Sequence, residues 1–255
     1  LTTLAGDMLV TLAYHRKLDE QWTEAAQALQ TFLDPHSPGC SIIGRSRKQK
    51  VVLGKDYVEE VLPMQGTSYR YRQYEQAFSQ PNGRVNIEMI NWACEQSELL
   101  CGDLLELYCG NGNFTLPLSR HFDNVIATEL AKTSIRAARA NIEVNAIHNV
   151  HLVRLAAEEV TQAMNAEREF RRLRELPKPI NQYDLGTLFV DPPRAGLDQG
   201  TLAMATRFPT IIYISCNPET LAQNLETLCK SHNIASFALF DQFPYTDHME
   251  CGVVL

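Results

Sequence analysis

The sequence predicts a doubly wound α/β fold, a mostly parallel seven-stranded sheet with helices on both faces, preceded by a small α+β lobe. Three observations predict it. From about residue 84 onward, short apolar segments of five or six residues alternate with helical stretches. Glycine or proline turns stand where several of those segments end, and the pattern changes character near Arg70. Short apolar strands separated by helices are covered on both faces, and a helix is what returns the chain to start a parallel neighbour.

Residues 1 to about 62 read as strand, helix and strands: the alternating LVTLAYH, the helical QWTEAAQALQTFL, then SIIGRS and KVVLG around charged turns. The chain opens at Leu1 in strand-like LTTLAGDMLVTLAYH, so residues 1–69 read as the remainder of a lobe whose upstream part is missing. At Arg70 the segment RYRQYEQAFSQPNGR turns polar and aromatic, and Pro81-Asn82-Gly83 breaks any helix, which sets the start of a second domain, 70–255. That domain reads as helix 84–98, strand LLELY, helix 114–121, strand NVIATE, helix 131–146, strand HLVRL and helix 156–165. A polar insertion at about 166–183 precedes strand TLFVD, a helix after Leu197, strand TIIYIS, helix 218–231, strand SFALFD and terminal strand CGVVL.

Composition narrows the function. With 255 residues, 45% of them hydrophobic, the chain can bury one large core plus a smaller lobe. No apolar run approaches the roughly 18 residues of a membrane span and no signal segment opens the chain, so a cytoplasmic location is expected. Seven cysteines, with no CxxC pair, suggest neither a disulfide framework nor a metal site. A net charge of −7 disfavours a wholly nucleic-acid-binding surface, so any RNA contact must be local. Two clusters qualify: Arg45, Arg47, Lys48 and Lys50, and Arg168, Arg171, Arg172 and Arg174. The second is interleaved with Glu167, Glu169 and Glu175 and reads equally well as a solvated, ion-paired face.

Ligands of a doubly wound sheet bind beyond the carboxyl ends of its strands. The first strand runs into Glu106-Leu-Tyr-Cys-Gly110-Asn-Gly112-Asn-Phe114, where glycines permit close backbone approach. Glu129 ends the second strand 17 residues after Gly112, where an acid reaches ribose hydroxyls in nucleotide-binding folds. Phe114 and Thr115 replace the third glycine of GxGxxG, which favours a phosphate-free nucleoside over a dinucleotide. The fourth strand ends at Asp191-Pro192-Pro193-Arg194, a stiff turn presenting a carboxylate. The fifth ends at Ser215-Cys216-Asn217-Pro218-Glu219, where Asn217 caps a helix and Pro218 takes its first turn. Cys216 then sits at a helix N-terminus, which favours its thiolate. Glu250 precedes the last strand, and its spacing alone fits a paired structural acid as well as a proton acceptor.

The ELYCGNGNF loop resembles the first motif of class I S-adenosylmethionine methyltransferases. DPPR, SCNPET and DQFPYTDHME resemble the signatures of the RNA 5-methyluridine methyltransferases, and YRQYEQAFSQPN and YHRKLDEQW extend the likeness over essentially the whole chain. Within that family the chain looks most like the branch acting on the T-loop uridine of tRNA. The resemblance implies a class I, Rossmann-like methyltransferase fold, S-adenosylmethionine as cofactor without a metal, and the tRNA T-arm as partner. It implies Cys216 as nucleophile, Glu250 as proton acceptor, and Gln80, Tyr108, Asn113, Glu129 and Asp191 as cofactor contacts. His15, Arg45 and Arg47 are its candidate RNA contacts. The ribosomal-RNA branch resembles proteins with an upstream four-cysteine iron–sulfur cluster, which has no counterpart here.

Three rivals remain. A methyltransferase for exocyclic amines would want an aromatic residue where Arg194 stands. A nicotinamide oxidoreductase would want the third glycine. A non-enzymatic RNA-binding module would need neither Cys216 nor Glu250.

Overall fold

The computed structural model describes residues 1–255. The chain starts with β1 (Leu9–Ala13), α1 (Glu20–Leu33), β2 (Ser41–Ser46) and β3 (Gln49–Leu53). β1 and β2 pair in parallel with α1 as the crossover, and β2 and β3 form a hairpin whose turn is Arg47-Lys48. Asp19 caps α1 by accepting the Trp22 N–H. The Trp22 ring then lies on Gly44, where a Cβ would come within 2.3 Å of it, so glycine is what lets helix and strand approach this closely.

β4 (Tyr57–Met64) and β5 (Thr67–Tyr74) form an eight-pair antiparallel hairpin, followed by α2 (Gly83–Ser97). The main sheet comprises β6 (Asp103–Leu107), β7 (Val125–Thr128), β8 (Val150–Val153), β9 (Leu185–Val190), β10 (Thr210–Ser215), β11 (Ser236–Phe240) and β12 (Glu250–Val254). Its helices are α3 (Thr115–Leu118), α4 (Lys132–Val144), α5 (Ala157–Met164), α6 (Gln199–Ala205) and α7 (Pro218–Leu228). The strand order is β11-β12-β10-β9-β6-β7-β8, and only β12 runs against the others. The seven strands and flanking helices are those the apolar pattern predicts. The helical periodicity overruns at some ends, as α3 is four residues and α7 stops at Leu228.

The two faces of the sheet are buried in separate apolar clusters. Leu105, Leu107, Leu188, Val190 and Tyr213 face one side, and Leu104, Val125, Phe189, Ile212 and Ile214 face the other. Each such side chain, once withdrawn from water, contributes about 1.5–3 kcal/mol.

The β4–β5 hairpin is absent from the sequence-based expectation. Its Arg, Gln and Glu residues mask a period-two pattern that buries Val58, Glu60, Leu62 and Met64 on one strand and Tyr69 and Tyr71 on the other, while Tyr74 is buried out of step with them. Leu62, Met64, Tyr69 and Tyr71 join the second apolar cluster of the main sheet. The backbone N–H groups of Arg70 and Arg72 donate to the amide oxygens of Asn145 and Asn141 at 2.9 and 2.7 Å. A division at Arg70 therefore passes through the middle of β5, a strand packed on the larger domain.

The insertion at 166–183 contains a short 3-10 turn at Arg171–Glu175 rather than an α-helix. Arg174 pairs with Glu169 at 2.9 Å with both side chains largely exposed, and Arg172 donates to the Arg154 carbonyl. All seven cysteines are free, and no cluster of side chains could hold a metal ion. No helix is long and apolar enough to cross a membrane.

Gly252 of β12 is held against Trp92, whose ring would lie 2.6 Å from an added Cβ. Gly252→Ala is expected to destabilise the fold by about 1–3 kcal/mol through overpacking. A urea titration followed by tryptophan emission measures it, and an unshifted midpoint would contradict the packing argument.

Candidate active site

β6 and β9 are neighbours although the chain visits β7 and β8 between them, so their carboxyl ends flank the switch point of the sheet. Beyond β6 the backbone adopts positive φ at Tyr108 (60°), Gly110 (57°) and Gly112 (87°). Two glycines take these angles freely, whereas Tyr108 does so at a cost of about 1–2 kcal/mol. The space over Gly110 is open, while a Cβ on Gly112 would meet Leu116 at 2.6 Å. The result is a tight loop with backbone free to approach a ligand on one side.

Glu129, just beyond β7, fixes this loop by accepting the Gly110 N–H at 3.1 Å on one oxygen and the Ala131 N–H at 2.6 Å on the other. A carboxylate has about four acceptor sites, so hydroxyl donors can still be received. Asn113 is clamped, because its side-chain amide exchanges two 2.8 Å hydrogen bonds with that of buried Asn86 on α2. The Tyr71 hydroxyl donates to the Asn113 carbonyl at 2.9 Å. Any further contact by Asn113 uses the remaining donor or acceptor of that pair.

The other half of the site is built by β9, β10 and β12. Asp191 follows β9 directly, and Cys216 follows β10 directly. The Asn217 side chain caps α7 by accepting the Glu219 N–H at 3.1 Å and donates to the Arg194 carbonyl at 3.2 Å. That carbonyl also receives the Thr220 hydroxyl at 3.1 Å. Asn224 holds the far side of the same loop, its amide oxygen accepting the Leu197 N–H and the Tyr213 hydroxyl at 2.9 and 2.8 Å. The DPPR turn and the Cys216 loop are thus tied together. The ladder between β10 and β12 ends at Ser215 opposite Cys251, so the next step in register sets Cys216 against Glu250.

Glu250 is 3% exposed, and its Oε2 has no hydrogen-bond partner. Burial pushes its carboxyl up to about 7. Burial raises Asp191 well above the usual carboxylate range, with the charges of Glu250 and Glu106 adding to the effect. Cys216, partly buried, is raised as well: burial acts first, Glu250 and Asp191 reinforce it, and Arg194 opposes it. The thiolate expected from the helix terminus alone is therefore opposed by two carboxyl groups that a linear sequence places far away. A low charge on those carboxyls, or a cation beside them, is what brings the thiolate within reach.

Glu106 in β6 escaped the sequence reading as a residue in its own right. It is 1% exposed, its Oε2 is unpartnered, and burial pushes it up to about 8. The signal was an acid in the otherwise apolar LLELY. Gln242 was missed too: it is 1% exposed, donates to the Gln80 side-chain oxygen and accepts the Asn82 N–H, both at 3.1 Å. Gln80 and Gln242 line a polar cavity of about 550 Å3, which does not include Cys216 or Glu250 in its wall. Gln80 is tied by its hydrogen bond with Gln242 to the loop that leads into Glu250.

Of the candidate RNA contacts, His15 and Arg47 are exposed. Arg45 is already paired. Its guanidinium donates to both carboxylate oxygens of Glu75, at 2.6 and 2.5 Å, and the Glu75 side chain is only 5% exposed. Lys50 also leans on Glu75 and on Asp56, at 3.6 and 3.5 Å. This ion cluster ties β2 and β3 to the segment that follows β5, and it is the structural use of two residues whose charge suggested RNA.

The profile of the tRNA (uracil-5-)-methyltransferase family matches residues 1–255. The chain belongs to that family. It is 55% identical over its whole length to the tRNA/tmRNA (uracil-C(5))-methyltransferase of Saccharophagus degradans, covering 68% of that protein. Identity to the protein of the same name from Acinetobacter baylyi is 56%, covering 69% of it. Among solved structures, the Pyrococcus abyssi tRNA (uracil-54, C5)-methyltransferase in complex with S-adenosyl-L-homocysteine superposes with a TM-score of 0.72 at 23% identity. That match covers 98% of this chain and 56% of the other, and it supports the fold assignment.

The raised Glu250 has a thermodynamic consequence. Its proton is held more tightly in the folded chain, near 7, than at the ordinary value of 4.5. The group's contribution to stability is therefore complete below the lower value and is lost as pH rises through the upper one. Glu250→Gln removes that titration. The variant should gain stability relative to the wild type between about pH 5 and pH 8, by roughly 3 kcal/mol at most. Denaturant midpoints across that range measure the effect, and parallel curves for the two proteins would contradict it.

Proposed function

We propose that the chain transfers the methyl group of S-adenosylmethionine to carbon 5 of a uridine in tRNA, the T-loop uridine at position 54, with Cys216 as nucleophile and Glu250 as proton acceptor. The carrying observation is the register that sets Cys216, at the end of β10, against the buried and unpartnered Glu250. The names of the relatives support tRNA as substrate and leave room for a tRNA-like loop of tmRNA. The S-adenosyl-L-homocysteine complex of the Pyrococcus protein supports the cofactor.

The residues present fit that cofactor. The open space over Gly110 admits a nucleoside, Glu129 retains acceptor capacity for ribose hydroxyls, and Tyr108, partly buried against the apolar cluster, offers an apolar wall. Gln80 and Asn113 complete the proposed contacts, each through what its amide partner leaves free. When bound, S-adenosylmethionine supplies an electrophilic methyl on a cationic sulfur.

Carbon 5 of uracil is too weak a nucleophile to take that methyl unaided. Attack of the Cys216 thiolate on carbon 6 forms a C–S bond and shifts an electron pair towards carbon 5, which would then take the methyl as the methyl–sulfur bond breaks and leaves its electron pair on the departing thioether. Glu250 must next be ionised to remove the carbon-5 proton. The electron pair of that C–H bond restores the ring double bond and expels the Cys216 thiolate. A carboxyl near 7 is suited to this task, because it is ionised often enough to accept a proton and basic enough to hold it. The uridine must leave its stack to reach Cys216, as expected for chemistry on a base.

RNA carrying 5-fluorouridine in place of the target should form a stable covalent adduct in the presence of S-adenosylmethionine, because fluorine cannot leave as a proton. Denaturing electrophoresis detects the adduct, and its persistence in Cys216→Ala would sink the nucleophile assignment. With ordinary RNA, Glu250→Gln should accumulate the same kind of adduct after methyl transfer. Steady turnover by that variant would remove Glu250 from the mechanism.

A further inference from the structure

The buried Gln242 decides which way the Gln80 amide faces. A backbone N–H can only donate, so the Asn82 N–H must be met by the Gln242 side-chain oxygen, which lies 3.1 Å from it. The Gln242 Nε2 is then turned to the other side. There it meets the Gln80 Oε1 at 3.1 Å and the Met89 sulfur at 3.5 Å, one acceptor for each of its two N–H groups. Gln80 can meet that donor only with its oxygen, and no other hydrogen bond engages its side chain. The polarity of one main-chain group is thus handed through two side-chain amides. Gln80, on the wall of the polar cavity of about 550 Å3, is left with two uncommitted donors.

The surroundings hold this arrangement in place. Gln242 is 1% exposed and Met89 is fully buried, so water does not compete for the Gln242 amide. Asn82 caps α2 by accepting the Val85 N–H at 3.3 Å, which fixes the backbone that starts the relay. On the other side, Gln242 is anchored just beyond β11 by donating its own N–H to the Phe240 carbonyl at 3.0 Å. Turning the Gln242 amide over would set donor against donor at Asn82 and break its three side-chain hydrogen bonds, so one orientation survives. The other polar groups proposed to touch the cofactor have different chemistry. Glu129 and Asp191 are carboxyl groups suited to hydroxyl or ammonium donors, and the Asn113 amide is engaged at both ends by Asn86.

We propose that Gln242 is a positioning residue for the cofactor: it holds Gln80 with its amide N–H groups towards the ligand, where they receive the carboxylate at the amino-acid end of S-adenosylmethionine. This rests on the reading that the chain binds that cofactor with Gln80 against it, and adds the ligand group that Gln80 recognises and the residue that orients it. A carboxylate only accepts hydrogen bonds, and its charge strengthens those it receives. A freely rotating amide would offer it an oxygen as readily as a nitrogen. An amide already turned the right way loses no freedom on binding, and it sets two donors against an ammonium group that strays to the same place. Because Gln242 stands on the loop that leads into Glu250, the same contact ties the cofactor's amino-acid end to the segment carrying the proposed proton acceptor.

The test measures, by calorimetry without RNA, the binding of S-adenosyl-L-homocysteine and of its decarboxylated analogue. The proteins compared are wild type, Gln80→Ala, Gln80→Glu, Gln242→Met and the double variant Gln80→Ala with Gln242→Met, with thermal midpoints recorded alongside. Gln80→Glu keeps the hydrogen bond from Gln242 but turns an acceptor to the ligand. It should weaken S-adenosyl-L-homocysteine by about tenfold or more and leave the analogue bound at least as well as by the wild type. Gln242→Met keeps the buried shape and frees the Gln80 amide. It should weaken S-adenosyl-L-homocysteine by about two- to tenfold, the range of one neutral hydrogen bond, and leave the analogue unaffected. In the Gln80→Ala background the same change should cost nothing further. Wild-type affinity in Gln242→Met, an equal loss for both ligands, or an undiminished loss in the Gln80→Ala background would overturn the positioning role. Gln80 is only half-buried, so Gln80→Glu remains informative if Gln242→Met unfolds, and wild-type affinity for S-adenosyl-L-homocysteine there would overturn the donor orientation. Undiminished binding by Gln80→Ala would remove the Gln80 contact on which the proposal rests, and a wild type that binds neither ligand would overturn the cofactor reading itself.

Discussion

The placement of one antiparallel strand governs the chemistry of this protein. In a sheet whose other strands run parallel, residues at strand beginnings lie on the edge away from the ligand. β12 is inserted in reverse between β10 and β11, so its first residue, Glu250, arrives at the ligand edge beside the last residues of β10. The ladder fixes the pairing to the residue, because a slip of one position would turn Glu250 to the opposite face and exchange the apolar clusters into which Val253 and Val254 pack. Gly252 packed under Trp92 and Val253 in the core resist such a slip.

That arrangement sets the electrostatics. Three carboxyl groups, Glu106, Asp191 and Glu250, come from β6, the end of β9 and β12, and each is driven towards its neutral form by burial. They share a region closed by apolar strands, so Asp191 is raised further by the other two. Cys216 stands within the same field, which opposes its ionisation while the carboxyls are charged. The nucleophile and its acids are therefore coupled: conditions that neutralise or offset the carboxyls are those that release the thiolate, and the helix terminus behind Asn217 acts in the same direction. A single cysteine viewed with its own helix gives only half of this balance.

The parts of the fold legible in the sequence were those governed by local pattern. Apolar five-residue runs gave the seven strands, and glycine or Asn-Pro turns gave the loops carrying Gly110 and Cys216. The β4–β5 hairpin was illegible because its buried positions, Val58, Glu60, Leu62 and Met64 with Tyr69 and Tyr71, alternate with Arg, Glu and other polar residues, a pattern that counts as polar by composition and as strand only by period. The ion pair of Arg45 was hidden for a different reason. Its charge was visible in sequence, whereas Glu75, which consumes it, lies 30 residues away. Glu250 was assigned from resemblance, and the physical ground for it, a strand pairing with β10, depends on a strand order that sequence pattern does not encode. Glu106 and Gln242 stayed hidden because a polar residue inside an apolar strand or a proline-bearing loop is significant only once its burial is known.

The same burial resolves a tension between acidity and RNA. A formal charge of −7 counts Glu106, Asp191 and Glu250 as fully ionised, yet all three are shifted towards the neutral form, two of them to values near or above 7. The charge felt by an approaching polyanion is smaller than the formal count. What remains is unevenly distributed. Glu75 and Asp56 hold Arg45 and Lys50 within the frame of the lobe, Asp56 also reaches Arg136 of α4, and Arg16, Lys17, Arg47 and Lys48 are left without ion-pair partners. Screening confines each charge to about 8–10 Å at physiological salt, so a compact group of free cations acts locally whatever the sign of the whole molecule. Net charge therefore describes how this protein behaves in bulk solution, whereas partnering and burial decide which of its charges can meet a phosphate.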